Sequence, residues 1–263
     1  MDKRKRRVMP SHPQKTVVLC LSGHDPGGGA GIQADIETLA ALDCHAAPLV
    51  TCLTEQDSSR VYGVHPVPET LLRQQARRIL DDYRISVIKV GLLGSPGAAN
   101  VVRHVLEILP DIPLILDPVL ASGSGQAMSH VEILRPLLPL ASLITPNRKE
   151  ARELSGATTP DDCARTLRDG GCPAVLITGA DESEHGKVIN SLYQEEHSRH
   201  WQWPRLPGSY HGSGCTLASA VAAGLARGKD LEAAVDAAQH YTWHALQRAF
   251  QPGRGQLVPG RCP

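Results

Sequence analysis

The chain has 263 residues with 27 basic and 27 acidic side chains, a formal net charge of zero and a pI near 7.2, which excludes the broad basic field that nucleic-acid binders present to phosphates. One Phe, three Trp and five Tyr leave the core to Leu, Val, Ile and Ala and offer no stacking platform for single strands. No apolar run nears the ~20 residues that cross a bilayer, no cleavable apolar segment follows the start, and seven cysteines without a CxxC pair or a His/Cys metal spacing suit a reduced, cytoplasmic setting.

In chain order, the basic cluster Lys3, Arg4, Lys5, Arg6 and Arg7 comes first and reads as a disordered tail over residues 1–15, with a targeting patch or anion-binding arm as the alternative. Val17 to Leu21 is a buried strand ending at Ser22-Gly23, and Ala30 to Leu42 has helical spacing, with Ile32, Ile36, Leu39 and Ala40 on one side. His45 to Leu53 is a second strand, and Pro68 to Leu80 a helix opened by proline. Ser86 to Leu93 is a strand, Ala98 to Leu109 a helix, Leu114 to Leu116 a strand entering Asp117-Pro118, and His130 to Leu138 a helix. Leu140 to Thr145 stops at Pro146-Asn147. Helices then cover Lys149 to Ser155 and Asp161 to Asp169, before a strand from Ala174 to Thr178.

After Gly186 the rhythm changes. Val188 to Gln194 and His200 to Pro204 read as an antiparallel pair around a polar turn at Glu195 to Ser198, and helices over Thr216 to Ala226 and Leu231 to Phe250 follow. The aromatic and His cluster at His240, Tyr241, Trp243 and His244 reads as packing on the last helix. Residues 16–251 therefore form one α/β domain: a mostly parallel central sheet with helices on both faces and a small antiparallel addition. Residues 252–263, half of them Pro or Gly, are expected to be an irregular tail.

Parallel α/β sheets bind ligands beyond the carboxyl ends of their strands, so the residues after each strand carry the functional reading. The first strand leads into Ser22-Gly23-His24-Asp25-Pro26-Gly27-Gly28-Gly29-Ala30-Gly31, where glycines let backbone approach a ligand before a helix begins. This segment matches neither the P-loop nor the dinucleotide spacing, and alone it could be a flexible βα turn. His211-Gly212-Ser213-Gly214-Cys215-Thr216 precedes the Ala-rich helix, where consecutive N–H groups and the helix dipole make an anion cradle. Alone it could equally be a glycine turn with an inert cysteine. Asp117, Asn147 and Glu150 supply hard oxygens suited to magnesium, although each residue type is more often a cap or a solvated charge.

In this order the segments resemble the hydroxymethylpyrimidine/phosphomethylpyrimidine kinases, the thiamin-pathway branch of the ribokinase-like family, from about Val17 to Phe250. Ser22 to Asp35 is similar to the signature GxDPSGGAGIQAD, and Gly212 to Thr216 to the anion hole GTGCT. The resemblance implies a ribokinase-like fold, ATP and Mg2+, a small-molecule pyrimidine substrate, no nucleic-acid or membrane partner, and a homodimer. It implies that Gly23, Asp25, Ala30, Asp35, Gln56 and Leu92 line the pyrimidine pocket, Gln56 offering donor and acceptor to the aminopyrimidine edge. Asp117, Asn147, Glu150, Thr178 and Gly179 fall at the ATP phosphates, with Asp117 and Glu150 toward the metal. Gly212, Ser213 and Gly214 hold the phosphate in flight. Cys215 is the base, a thiolate whose pKa the helix N-terminus would lower.

Three positions depart from the family pattern. Gly27 replaces a Ser, Asp57 replaces an Asn and would add charge near the substrate, and Thr178-Gly179-Ala180-Asp181 stands where relatives have Lys-Gly-Gly-His. The lost lysine would have met the ATP phosphates, so a substitute cation or weaker nucleotide use is implied. The expected reaction is phosphorylation of 4-amino-5-hydroxymethyl-2-methylpyrimidine and then of its monophosphate. A pyridoxal or pyridoxine kinase is the enzymatic alternative, and a non-catalytic pyrimidine sensor the alternative of another class.

Overall fold

The computed structural model describes residues 15–121, 125–182, 186–195 and 197–262. The basic cluster at Lys3 to Arg7 and Glu196 of the polar turn lie outside the described residues. The chain runs β1 (Thr16–His24), α1 (Gly31–Ala41), β2 (Cys44–Gln56), β3 (Val61–Pro66), α2 (Glu69–Asp82), β4 (Ile85–Val90), α3 (Pro96–Ile108) and β5 (Leu114–Leu116). It continues through α4 (Val131–Leu134), β6 (Leu143–Ile144), α5 (Arg148–Ser155), α6 (Pro160–Asp169), β7 (Ala174–Ile177), β8 (Lys187–Gln194), β9 (His197–Pro204), α7 (Ser213–Ala226) and α8 (Leu231–Gln247).

Among the described residues these strands make one sheet in the order β3-β2-β1-β4-β5-β6-β7-β8-β9. From β2 to β7 every neighbouring pair is parallel, because helices or long connections return the chain to the same edge, so the carboxyl ends of six strands open on one side. Both faces are covered. Along β1, Leu19 and Leu21 face a core completed by Leu72 of α2, Val101 of α3 and Leu167 of α6. Val18 and Cys20 face the opposite core, with Leu217 and Val221 of α7 and Val235 of α8. Burial on both sides is why these strands read as continuous apolar runs.

The antiparallel addition at β8 and β9 stands where the sequence puts it, and β3 adds a second one at the other edge, paired with β2. The β3 segment VYGVHP offers no apolar alternation, since it is an edge strand with one buried residue, Val61. The helix expected over His130 to Leu138 is only α4, followed by a 3-10 turn over Arg135–Leu140, since Pro136 and Pro139 remove backbone donors. Residues 252–262 contain no helix or strand but lie against the domain through bridges from Leu257 to Tyr210 and from Val258 to Phe250.

Candidate active site

A cleft of ≈ 590 Å³ runs along the carboxyl edge of the parallel strands. It is lined by the loop after β1, the ends of β2, β5 and β7, the first turn of α7, and a wall from β8, β9 and α8. Gly23, Asp25, Ala30, Gln56 and Leu92 border it at one end, and Asp117, Asn147, Glu150 and Thr178 border it further along. Gly212, Ser213, Gly214 and Cys215 close it from the side of α7.

The glycine loop is shaped around Asp25. Its carboxylate accepts N–H bonds from Gly27 (2.8 Å), Gly29 (2.9 Å) and Ala30 (2.9 Å), and His211 Nε2 donates to it at 2.9 Å. Burial works against its charge, but the His211 and backbone donors outweigh burial and hold its pKa below the usual carboxylate range. Asp25 thereby ties the loop after β1 to the segment entering α7. Gly31, at φ +59°, begins α1 where a Cβ would stand 2.2 Å from the Gly23 carbonyl, so only glycine permits this fold-back. In α7 the first intrahelical bond is Thr216 N–H to the Gly212 carbonyl at 3.0 Å. The N–H groups of Ser213, Gly214 and Cys215 precede it and are available at the helix N-terminus.

Beneath the cradle lies a dry charge network that the sequence reading missed. Lys89 of β4 is fully buried, 2.7 Å from Asp35 Oδ1 and 3.7 Å from Asp117 Oδ2. Burial would lower its pKa, but the carboxylates of Asp35 and Asp117 and the neighbouring Cys215 hold it above the ordinary lysine value. Asp35 also accepts from Ser22 Oγ (2.6 Å) and Ser219 Oγ (2.7 Å). Asp35 is therefore not a pocket residue, contrary to the sequence expectation: its carboxylate is spent on α7 and β4. A lysine inside a run as apolar as Ile85–Val90 was the available signal.

Cys215 sits partly exposed at the floor, hydrogen-bonded to Asp117 and accepting the Gly31 N–H. Enclosure, with the charges of Asp117 and Asp35, pushes its thiol well above the ordinary value, against the pull of Lys89. That direction is opposite to the lowering expected of a helix N-terminus.

Two further expectations change. Gly179, expected at the ATP phosphates, donates its N–H to Asn190 Oδ1 at 3.0 Å and packs on the Ile189 backbone rather than lining the cleft. Asp57 caps the β2–β3 turn through the Ser59 and Arg60 N–H groups and Tyr62, and adds no charge to the cleft wall. Asp181, in the His position of relatives, accepts from Lys149 N–H at 2.9 Å and so caps α5.

Asn147 and Glu150 form a capping box at the start of α5, with Glu150 N–H donating to Asn147 Oδ1 at 2.9 Å and Asn147 N–H to Glu150 Oε2 at 3.0 Å. Burial pushes Glu150 up to about 8 despite the N–H bonds its carboxylate accepts from Asn147 and Leu120. Asp117 is likewise raised by burial, and its Oδ2 and Thr145 Oγ1 are buried without a hydrogen-bond partner. Beyond them the wall turns aromatic. Trp203 and Trp243, with ring centroids 5.7 Å apart, line the cleft beside Leu246. Gln239 Oε1 accepts from Asn190 Nδ2 (2.9 Å) and Trp203 Nε1 (3.0 Å), while Gln239 Nε2 and Thr242 Oγ1 are left unpaired. Arg205, bonded to the Ala180 carbonyl at 3.0 Å, is the one Lys or Arg among the described cleft residues.

Over residues 25–259 the sequence matches the phosphomethylpyrimidine kinase family. It is 38% identical over 252 residues to the hydroxymethylpyrimidine/phosphomethylpyrimidine kinase of Streptomyces coelicolor, covering 91% of each chain. It is 35% identical to a probable chloroplastic thiamine biosynthetic bifunctional enzyme of rice, over 94% of this chain and 46% of that one. Among solved structures, the ADP complex of Bacillus subtilis pyridoxal kinase superposes with a TM-score of 0.86 at 29% identity, covering 94% of this chain and 98% of that chain.

Proposed function

The chain belongs to the phosphomethylpyrimidine kinase family, and from that premise we propose how its cleft phosphorylates 4-amino-5-hydroxymethyl-2-methylpyrimidine, and then the monophosphate, in thiamin biosynthesis. The observation that carries the proposal is the pairing in one cleft of a free helix N-terminus at Ser213 to Cys215 with an amide side chain, Gln56. Phosphoryl transfer asks a protein mainly for in-line positioning and charge stabilisation. The α7 N–H groups meet the migrating phosphoryl oxygens, and Gln56 orients the ring so that its alcohol points toward Cys215.

ATP is the donor in this reading. The flat apolar wall of Trp203, Trp243 and Leu246 suits the base, and the unpaired Gln239 Nε2 and Thr242 Oγ1 beside it offer polar contacts. Magnesium fits next to Asp117, whose buried Oδ2 has no hydrogen-bond donor, with Glu150 alongside. Bound there, it would neutralise phosphate charge. Cys215 receives the alcohol proton as the base in its thiolate form, so its own proton, which burial favours keeping, must first pass to solvent as the substrates bind. Arg205 supplies the phosphate-binding cation that Thr178 does not. No described helix is long and apolar enough to cross a membrane. A cytoplasmic enzyme suits seven unpaired cysteines, and the half-exposed Leu53 and Tyr62 on the edge hairpin suit a homodimer, checked by sedimentation.

The test is mass spectrometry of the products from the pyrimidine alcohol and ATP, with pyridoxal as competitor. Mono- and diphosphate products with a higher kcat/KM than pyridoxal are expected. The likeness to a pyridoxal kinase structure keeps that substrate in the comparison. A preference for pyridoxal would overturn the pyrimidine assignment, and no pyrimidine-dependent ADP at any magnesium level would favour a sensor.

A further inference from the structure

Arg261 is among the most buried side chains in the protein, 1% exposed, although it sits in a segment rich in Pro and Gly. Its Nε donates to Thr216 Oγ1 at 2.9 Å, one terminal nitrogen donates to Glu37 Oε2 at 2.9 Å, and the other donates to the Gly29 carbonyl. Thr216 Oγ1 in turn donates to the Gly212 carbonyl at 2.7 Å. One guanidinium thus grips the glycine loop after β1, the body of α1 and the first turn of α7. The two loops meet in backbone contact, since a Cβ on Gly212 would lie 2.0 Å from the Gly29 carbonyl and 2.7 Å from Arg261.

Neighbouring residues of the same segment hold the same seam. The His211 N–H donates to the Leu257 carbonyl at 2.8 Å, and Gln256 N–H to the Ser58 carbonyl at 2.9 Å, beside the turn that follows Gln56. Tyr241 of α8 fixes the strap by donating to the Arg261 carbonyl at 2.7 Å. Arg261 does not line the cleft, so it touches no substrate.

We propose that Arg261 is a positioning residue for phosphoryl transfer, setting the separation between the Gly29 loop and the N–H cradle of α7. The idea rests on the phosphotransfer reading above. An error of about 1 Å in such an alignment costs on the order of a hundredfold in rate. A lysine keeps the charge but cannot make three fixed contacts from one plane.

The test compares Arg261→Lys, Thr216→Val and Glu37→Gln with the unmodified chain, by steady-state kinetics and by hydrogen–deuterium exchange. Arg261→Lys is expected to lower kcat by roughly 30-fold or more and Thr216→Val by about tenfold, with the pyrimidine KM within about threefold. Glu37→Gln, which removes only the charge of the contact outside the seam, stays within about twofold. Exchange should quicken at residues 27–31 and 212–216 together in the first two variants. Unchanged kcat in folded Arg261→Lys and Thr216→Val would sink the proposal. So would exchange that rises evenly across the chain with kcat retained, the mark of a purely structural role. Should Arg261→Lys fail to fold, the milder Thr216→Val decides. Should the unmodified chain not turn over the pyrimidine, the functional reading falls, while paired exchange at the two segments still judges the strap.

Discussion

Where the cleft meets α7, the polar groups around the glycine loop are committed, and where it meets α8 several are not. Asp25 holds four donors and Asp35 accepts from two hydroxyls and Lys89. At the other end Gln239 Nε2 and Thr242 Oγ1 are buried without partners, and Arg205 spends one bond on a carbonyl. The first end is preorganised, its geometry fixed before a substrate arrives. The second would be completed by a ligand that meets those groups. Substitutions at the two ends should therefore show up in different quantities: rate and stability at one, nucleotide affinity at the other.

The largest effect is expected at the committed end. Cys215→Ala should lower kcat by about 10²–10⁴, the range of general acid–base catalysis, with the pyrimidine KM within about threefold. In the ligand-free protein, iodoacetamide near pH 7.5 should alkylate the exposed Cys262 well before Cys215; the reverse order would mean that the cleft stabilises a thiolate after all.

Next comes Asp25→Asn. The folded pKa of Asp25 is depressed, so its contribution is present above the unfolded value and fades as pH falls through the folded one. Denaturant titrations should show a loss of about 2 kcal/mol at pH 7 that shrinks below about pH 4. A penalty independent of pH would assign the loss to packing instead.

At the open end, Arg205→Ala should raise the ATP KM about tenfold, near 1.4 kcal/mol, and leave the pyrimidine KM alone. Adding Thr178→Lys to that variant should recover nucleotide affinity, as isothermal titration with ADP would show. No recovery would separate the two positions. The smallest effect is Thr242→Val, which removes a hydroxyl that has no partner; scanning calorimetry should find Tm unchanged or raised by about 2 °C. A clear drop would erase the contrast between the two ends.

The sequence displays the parts of this arrangement that depend on local chemistry. Glycines after β1, a Gly-Ser-Gly-Cys segment before an Ala-rich helix and acids after strands all mark backbone needs, and the apolar rhythm exposes the parallel sheet. What it hides depends on distant pairing. The β3 segment is an edge strand with little to bury. Asp35 looks like a pocket residue until Lys89, fifty-four positions later, is found beside it. Asp57 looks like a substrate-facing charge until its turn closes around it. Trp203 and Arg205 reach the cleft only because β8 and β9 fold over α8, and Arg261 is buried because the last residues cross back to α1 and α7. The upward shift of the Cys215 thiol follows from burial and from Asp117, just past β5, and Asp35 of α1, which no local motif encodes.

The pairing of Lys89 with Asp35 also restricts how this protein can diverge. Lys89→Met alone would strand a carboxylate in a dry interior, at roughly 3–5 kcal/mol. Replacing both with apolar side chains still deprives Ser22 and Ser219 of their acceptor. Positions 22, 35, 89 and 219 are thus physically coupled, and a graft of α1 or α7 from another scaffold would need to carry its share of that network.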